Sequence, residues 1–166
     1  MRVFQPVRPI ARLATELRTS GVGQVVIGVA GLLAALALGD LSPGRALVPF
    51  VVATVLVGAI SLWSTRWLRD PEMPEARGGG AVEPDRETVR RTLVVLALPL
   101  VFLAVVVVLV AAGAVALAGV VAAVGAVDLR NLAWVRARER ELGRGIYREL
   151  GPSTFTSGRR PLYTRP

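Results

Sequence analysis

The sequence predicts an all-α polytopic membrane protein, with four transmembrane helices paired as two hairpins and a short amphipathic helix at each end. Three observations predict it. The apolar residues make up 53% of the 166-residue chain and lie in uncharged blocks rather than spreading along it. A soluble protein is usually about 45–50% apolar even with Gly included. All 20 basic residues are Arg, and 19 of them fall in three segments outside those blocks. Tryptophans mark the block ends, as interfacial aromatics do.

The N-terminal segment, 1–19, carries Arg2, Arg8, Arg12 and Arg18 against Glu16 alone. Ile10, Leu13, Ala14 and Leu17 recur at helical spacing after Pro9. That spacing fits a short helix lying in the headgroup layer, or equally a cytosolic extension of the first span.

The first hairpin occupies 20–65. Residues 19–39 hold no charge, and about 20 residues at 1.5 Å rise cross a hydrocarbon core of about 30 Å. The basic start followed by an apolar run could also be a signal peptide. The long preceding segment and the second apolar run soon after Asp40 favour a retained anchor. Ser42-Pro43-Gly44 reads as a turn. A second uncharged run, 46–65, follows, with Pro49 expected in its first turn and Trp63 and Trp67 at its end.

Residues 66–91 carry six Arg and six acids, with Pro71, Pro74, Gly78-Gly79-Gly80 and Pro84, and read as a flexible linker. Asp85 and Glu87 could open the next helix, where acids complement its dipole. Residues 92–127 are uncharged. As one straight helix these 36 residues would run about 54 Å, so two shorter spans turning near 111–114 fit better. Pro99 should kink the third span.

The C-terminal segment, 128–166, holds nine Arg and four acids. Leu132, Val135, Leu142, Ile146 and Leu150 form an apolar stripe, so an amphipathic helix is expected up to Gly151-Pro152, with an unstructured tail beyond. Trp134 and the cluster Arg136, Arg138, Arg140, Arg144 and Arg148 are candidate lipid or partner contacts, together with Trp63 and Trp67. Placing 19 Arg on the cytoplasmic side requires both termini inside.

The clearest packing signal is small-residue spacing. Ala114, Ala118, Ala122 and Ala126 lie four apart in the fourth span, and Gly31, Ala35 and Gly39 in the first. Such ridges let helix backbones approach closely. Among polar groups, Gln24 suits a headgroup-level amide or an interhelical contact.

Chemistry is harder to find. The chain has no His and no Cys, and no ionisable residue falls inside the proposed spans. No P-loop, catalytic triad or metal-ligand spacing is present. An enzyme, a cofactor and a metal are therefore not expected. Nor is nucleic acid, since no stacking aromatics interleave with the Arg clusters. The expected role is a non-catalytic accessory or scaffold subunit that binds anionic membrane lipids and another membrane protein, or forms a homo-oligomer. The alternative is a small oligomeric channel or transporter. The Arg-only, Ala/Gly/Val/Pro-rich composition fits a GC-rich bacterial genome and so a bacterial cell membrane.

Overall fold

A computed structural model describes residues 3–4, 9–39, 42–69, 75–76, 81–150 and 162–165. Asp40, the Gly78-Gly79-Gly80 run, Gly151-Pro152, Arg159, Arg160 and the Trp67 side chain lie outside the described residues. The chain is mostly helical. Four helices, α1 (Leu13–Leu38), α2 (Pro43–Ser64), α3 (Asp85–Leu109) and α4 (Ala111–Leu142), are long and apolar enough to cross a membrane.

It is not all-α. Five short strands, β1 (Val3–Phe4), β2 (Ile10–Arg12), β3 (Glu75–Ala76), β4 (Gly145–Glu149) and β5 (Leu162–Arg165), form one mixed sheet in the order β1-β3-β5-β4-β2. β4 pairs antiparallel with β2 and β5, while β3 runs parallel to β1 and β5. The outer edge of β2 is covered in turn. Ile10 N–H donates to the Ala81 carbonyl at 3.0 Å, and Glu83 N–H donates to the Ile10 carbonyl at 2.9 Å. The three Arg-rich segments of the sequence therefore meet at one end of the bundle. An even number of crossings between them satisfies that geometry.

Several boundaries differ from the sequence expectation. The separate N-terminal amphipathic helix does not form, because Ile10–Arg12 is a strand and α1 begins at Leu13. The apolar face expected to lie on lipid is buried instead: Leu13, Ala14 and Leu17 pack with Leu132, Val135, Ile146, Leu68 and Leu162 beneath the sheet. An amphipathic stripe records that one face is covered, not what covers it.

Ser42 is the N-cap of α2 and Pro43 its first residue, so Pro49 lies inside the helix rather than in its first turn. The described parts of segment 66–91 contribute a 3-10 turn (Arg66–Arg69), β3 and the 81–83 pairing to the cap. The chain reverses at Val110, whose extended backbone (φ −147°, ψ 80°) separates α3 from α4. At the far end, Gly143 adopts φ 62° and terminates α4, eight residues before the expected stop at Gly151. Gly reaches this left-handed conformation without a Cβ penalty. The chain then enters β4.

The most extensive helix packing is not within the two expected hairpins, although α3 also packs on α4. α1 packs most extensively on α4, α2 packs on α4, and α3 packs on α1, while α1 and α2 touch only marginally. Close approach explains the α1–α4 pairing. A Cβ on Gly28 would lie 2.7 Å from the Ala118 carbonyl oxygen, and one on Gly125 would lie 2.7 Å from the Gly21 carbonyl oxygen. The two backbones are in contact at both levels, which only Gly permits. The membrane-level core is Ile27, Ala35, Ala46, Leu96, Leu103, Val107, Ala114, Val115, Ala118 and Val121.

Candidate functional site

The sheet end of the bundle carries the charged residues. A groove of about 970 Å³ opens there between the first turns of α1, the start of α3 and the last turns of α4. Arg12, Arg18, Arg136, Arg140 and Arg144 line it, together with Asp85 and Glu139. Each helix contributes for a local reason. α1 offers Arg18 and Thr19 where its uncharged run begins. α3 offers Asp85 in its first turn, where a carboxylate complements the helix dipole. α4 offers Arg136 and Arg140, one turn apart on one face.

Both acids of the groove are already engaged. Asp85 accepts a hydrogen bond from Thr15 Oγ1 at 3.0 Å. Glu139 accepts one from the Ile146 N–H at 3.0 Å and pairs with Arg12 at 3.6 Å. Arg140 Nε donates to the Arg136 carbonyl at 3.3 Å. Among the described residues, no carboxylate forms an ion pair with Arg18, Arg136 or Arg140. The groove is thus a cavity with excess positive charge.

Beside it, a polar network ties α1 and α4 to the cap. Arg148, on β4, forms an ion pair with Glu16 on α1, both side chains being less than one-fifth exposed. Ser20 Oγ donates to Asp128 Oδ2 at 2.7 Å, joining α1 to α4 where they approach the cap. Glu83 pairs with Arg91 at 3.2 Å and accepts a hydrogen bond from the buried Thr88 hydroxyl at 3.0 Å. In the sheet, burial lifts the Tyr163 phenol above its ordinary range, and the nearby Glu149 carboxylate adds to the shift. Within the spans, Thr54 Oγ1 donates to the Phe50 carbonyl at 2.8 Å and lies 3.2 Å from the Gly119 carbonyl, linking α2 to α4. Gln24 Oε1 is buried and has no hydrogen-bond partner among the described residues.

The residues singled out from the sequence separate into groups. Arg136, Arg140 and Arg144 come together in the groove. Arg148 does not join them, because β4 turns its side chain to Glu16 in an ion pair. Arg138 lies outside the groove lining and pairs with Glu141 at 2.8 Å. Trp63 is 70% exposed at the end of α2, whereas Trp134 is half-buried against the junction core. Gly31, Ala35, Ala114, Ala118 and Ala122 are buried between helices, Gly39 is partly covered, and Ala126 is exposed. Sequence reasoning did not assign Arg12, Arg18, Thr15, Thr19 or Asp85 to the site. Arg12 and Arg18, flanking the start of an apolar run, were the available signal, but nothing local connects them to α3 or to the end of α4.

This arrangement defines a polytopic helical membrane protein with a sheet-capped, cationic end. No family model, curated protein or solved structure matches the chain.

Proposed function

We propose that the chain is a small non-catalytic protein of a bacterial cell membrane, with four spans and both termini in the cytoplasm. It serves as an accessory or scaffold subunit that engages anionic lipid at its Arg-rich end and a second membrane protein along its spans. The observation that carries this reading is the groove: three arginines without a carboxylate partner among the described residues, held at the end where the three Arg-rich segments meet. Arg is weakly hydrated and forks onto phosphate, which suits it to an anionic leaflet. The positive-inside bias then orients that end to the cytoplasm.

The spans supply surface rather than chemistry. α2 buries only Ala46, and its Leu47, Val48, Val55, Leu56 and Ile60 are exposed, leaving a long apolar face for lipid or a partner helix. The α1–α4 seam is filled by Gly and Ala backbone contact, so a channel would have to form between copies.

Two measurements test the proposal. Cys introduced at Ala81 should react with an impermeant reagent only from the cytoplasmic side, and Cys at Ser42 only from outside. Labelling of Ala81→Cys from outside refutes the orientation. Purification in mild detergent followed by mass analysis should recover a second membrane protein. Recovery of a homo-oligomer that conducts ions in vesicles would replace the accessory reading with the channel.

A further inference from the structure

Resting on the anionic-lipid part of that reading, the groove has a shape and position that diffuse surface charge does not require. It sits where α1 enters its uncharged run, with Arg18 and Thr19 in its wall. One turn further on, the same helix face presents Val22, which is exposed. On α3, Val89 lines the groove and Leu93, one turn on, is exposed. α1 and α3 ascend side by side here: a Cβ on Gly23 would meet the Leu96 side chain, and one on Gly31 would meet Leu103. A cationic pocket therefore opens at headgroup level and continues into an apolar track.

A volume of about 970 Å³ exceeds what a lone phosphate fills and falls at the upper end of ligand-sized pockets, about 300–1,000 Å³. Its five arginines face two carboxylates that are already hydrogen-bonded within the protein. Arg136 and Arg140 stand one turn apart on α4, and Arg18 faces them from α1. Three guanidinium groups on two helices can grip one phosphate from different directions with charge-assisted hydrogen bonds.

We propose that this groove is a discrete site for one anionic glycerophospholipid. The phosphodiester sits against Arg18, Arg136 and Arg140, the headgroup lies near Thr15 and Thr19, and the acyl chains lie along Val22 and Leu93. The lipid would join α1, α3 and α4 at the base of the sheet and so brace the cap on the spans.

The test uses the full chain in mild detergent doped with equal amounts of phosphatidylglycerol and phosphatidylcholine, read by native mass spectrometry. One phosphatidylglycerol per chain should be retained in preference to phosphatidylcholine. Replacing Arg18, Arg136 and Arg140 together by Gln should weaken retention on the order of 100-fold, taking about 1 kcal/mol for each arginine. Replacing Arg66, Arg86 and Arg130, three exposed arginines outside the groove lining, should change it by less than about threefold. The single variant Arg136→Gln, at an exposed position, should lose about fivefold and guards against misfolding of the triple variant.

Equal losses from the two triple variants would overturn the discrete site while leaving surface attraction to anionic lipid intact. Absence of any preference for phosphatidylglycerol would overturn both. Glycerol phosphate or inorganic phosphate binding as tightly as the lipid, by calorimetry, would overturn the lipid assignment in favour of a soluble phosphate ester.

Discussion

The α1–α4 seam makes a quantitative prediction about two glycines. A methyl group added at Gly28 would lie 2.7 Å from the Ala118 carbonyl oxygen and 2.8 Å from the Ala122 nitrogen. One added at Gly125 would lie 2.7 Å from the Gly21 carbonyl oxygen and 2.8 Å from the Val25 nitrogen. These neighbours are backbone and cannot rotate away. Ordinary contact begins at 3.4 Å, so α1 and α4 must separate by about 0.7 Å (3.4 − 2.7). A gap of about 0.5–1 Å forfeits roughly a quarter to a half of each dispersion contact along the seam. Overpacking typically costs about 1–3 kcal/mol, and replacing a helical Gly by Ala returns about 0.5–1 kcal/mol through backbone entropy. One displacement relieves both clashes, so the two costs are not additive. Gly28→Ala/Gly125→Ala should therefore fall about 1–3 kcal/mol below what two unhindered Gly→Ala changes would give, read from the midpoint of thermal unfolding in mild detergent. Gly58, on α2, has nothing within 4 Å of a Cβ. Gly58→Ala should keep or raise the midpoint. If the double variant is as stable as Gly58→Ala, the helices do not cross by backbone contact and the packing described for α1 and α4 is wrong.

Three further predictions use the same unfolding measurement. Ala118→Leu should destabilise the fold by about 1–3 kcal/mol, whereas Ala126→Leu should be nearly neutral because Ala126 is exposed; equal effects would mean that the spacing in α4 does not report packing. Arg148→Met should destabilise the cap strongly, because it leaves Glu16 charged and largely covered. Glu16→Leu/Arg148→Met should recover much of the loss, as removing both partners of a covered ion pair commonly does, and a double variant no better than the single would show that the pair is not coupled. Gly143→Ala should lose about 1–2 kcal/mol from its φ of 62° alone, since no atom lies within 4 Å of its Cβ; Gly143→Asn should lose less, and an unchanged midpoint for the Ala variant would argue against the left-handed α4 terminus.

The four spans were legible because a membrane imposes a length on uncharged sequence. Runs 19–39, 46–65 and 92–127 announce α1 to α4 without knowledge of their neighbours. The even number of crossings was legible in the clustering of 19 arginines, and the buried Gly and Ala of α1 and α4 in their spacing. The start of α3 at Asp85 followed from its Pro and acids. These are local signals: a residue's place along one helix decides them.

Only the tertiary structure decided the cap and the groove. The strands are two to five residues long, too short for a period of two to stand out, and β2 pairs with β4 across more than 130 residues of chain. The stripe through Leu132, Val135 and Ile146 read as one helix because apolar spacing continued past Leu142, yet Gly143 takes a left-handed φ and sends Ile146 into a strand. Arg148 looked like its neighbours in composition and differs from them only because β4 aims it at Glu16. The groove joins Arg18, Asp85 and Arg136 from three helices that the chain separates by the spans themselves. The sequence by itself determined which segments leave water. Which polar segments then meet, and which arginines keep their charge unpaired, was decided by contacts between residues far apart in the chain, where no local pattern carries the information.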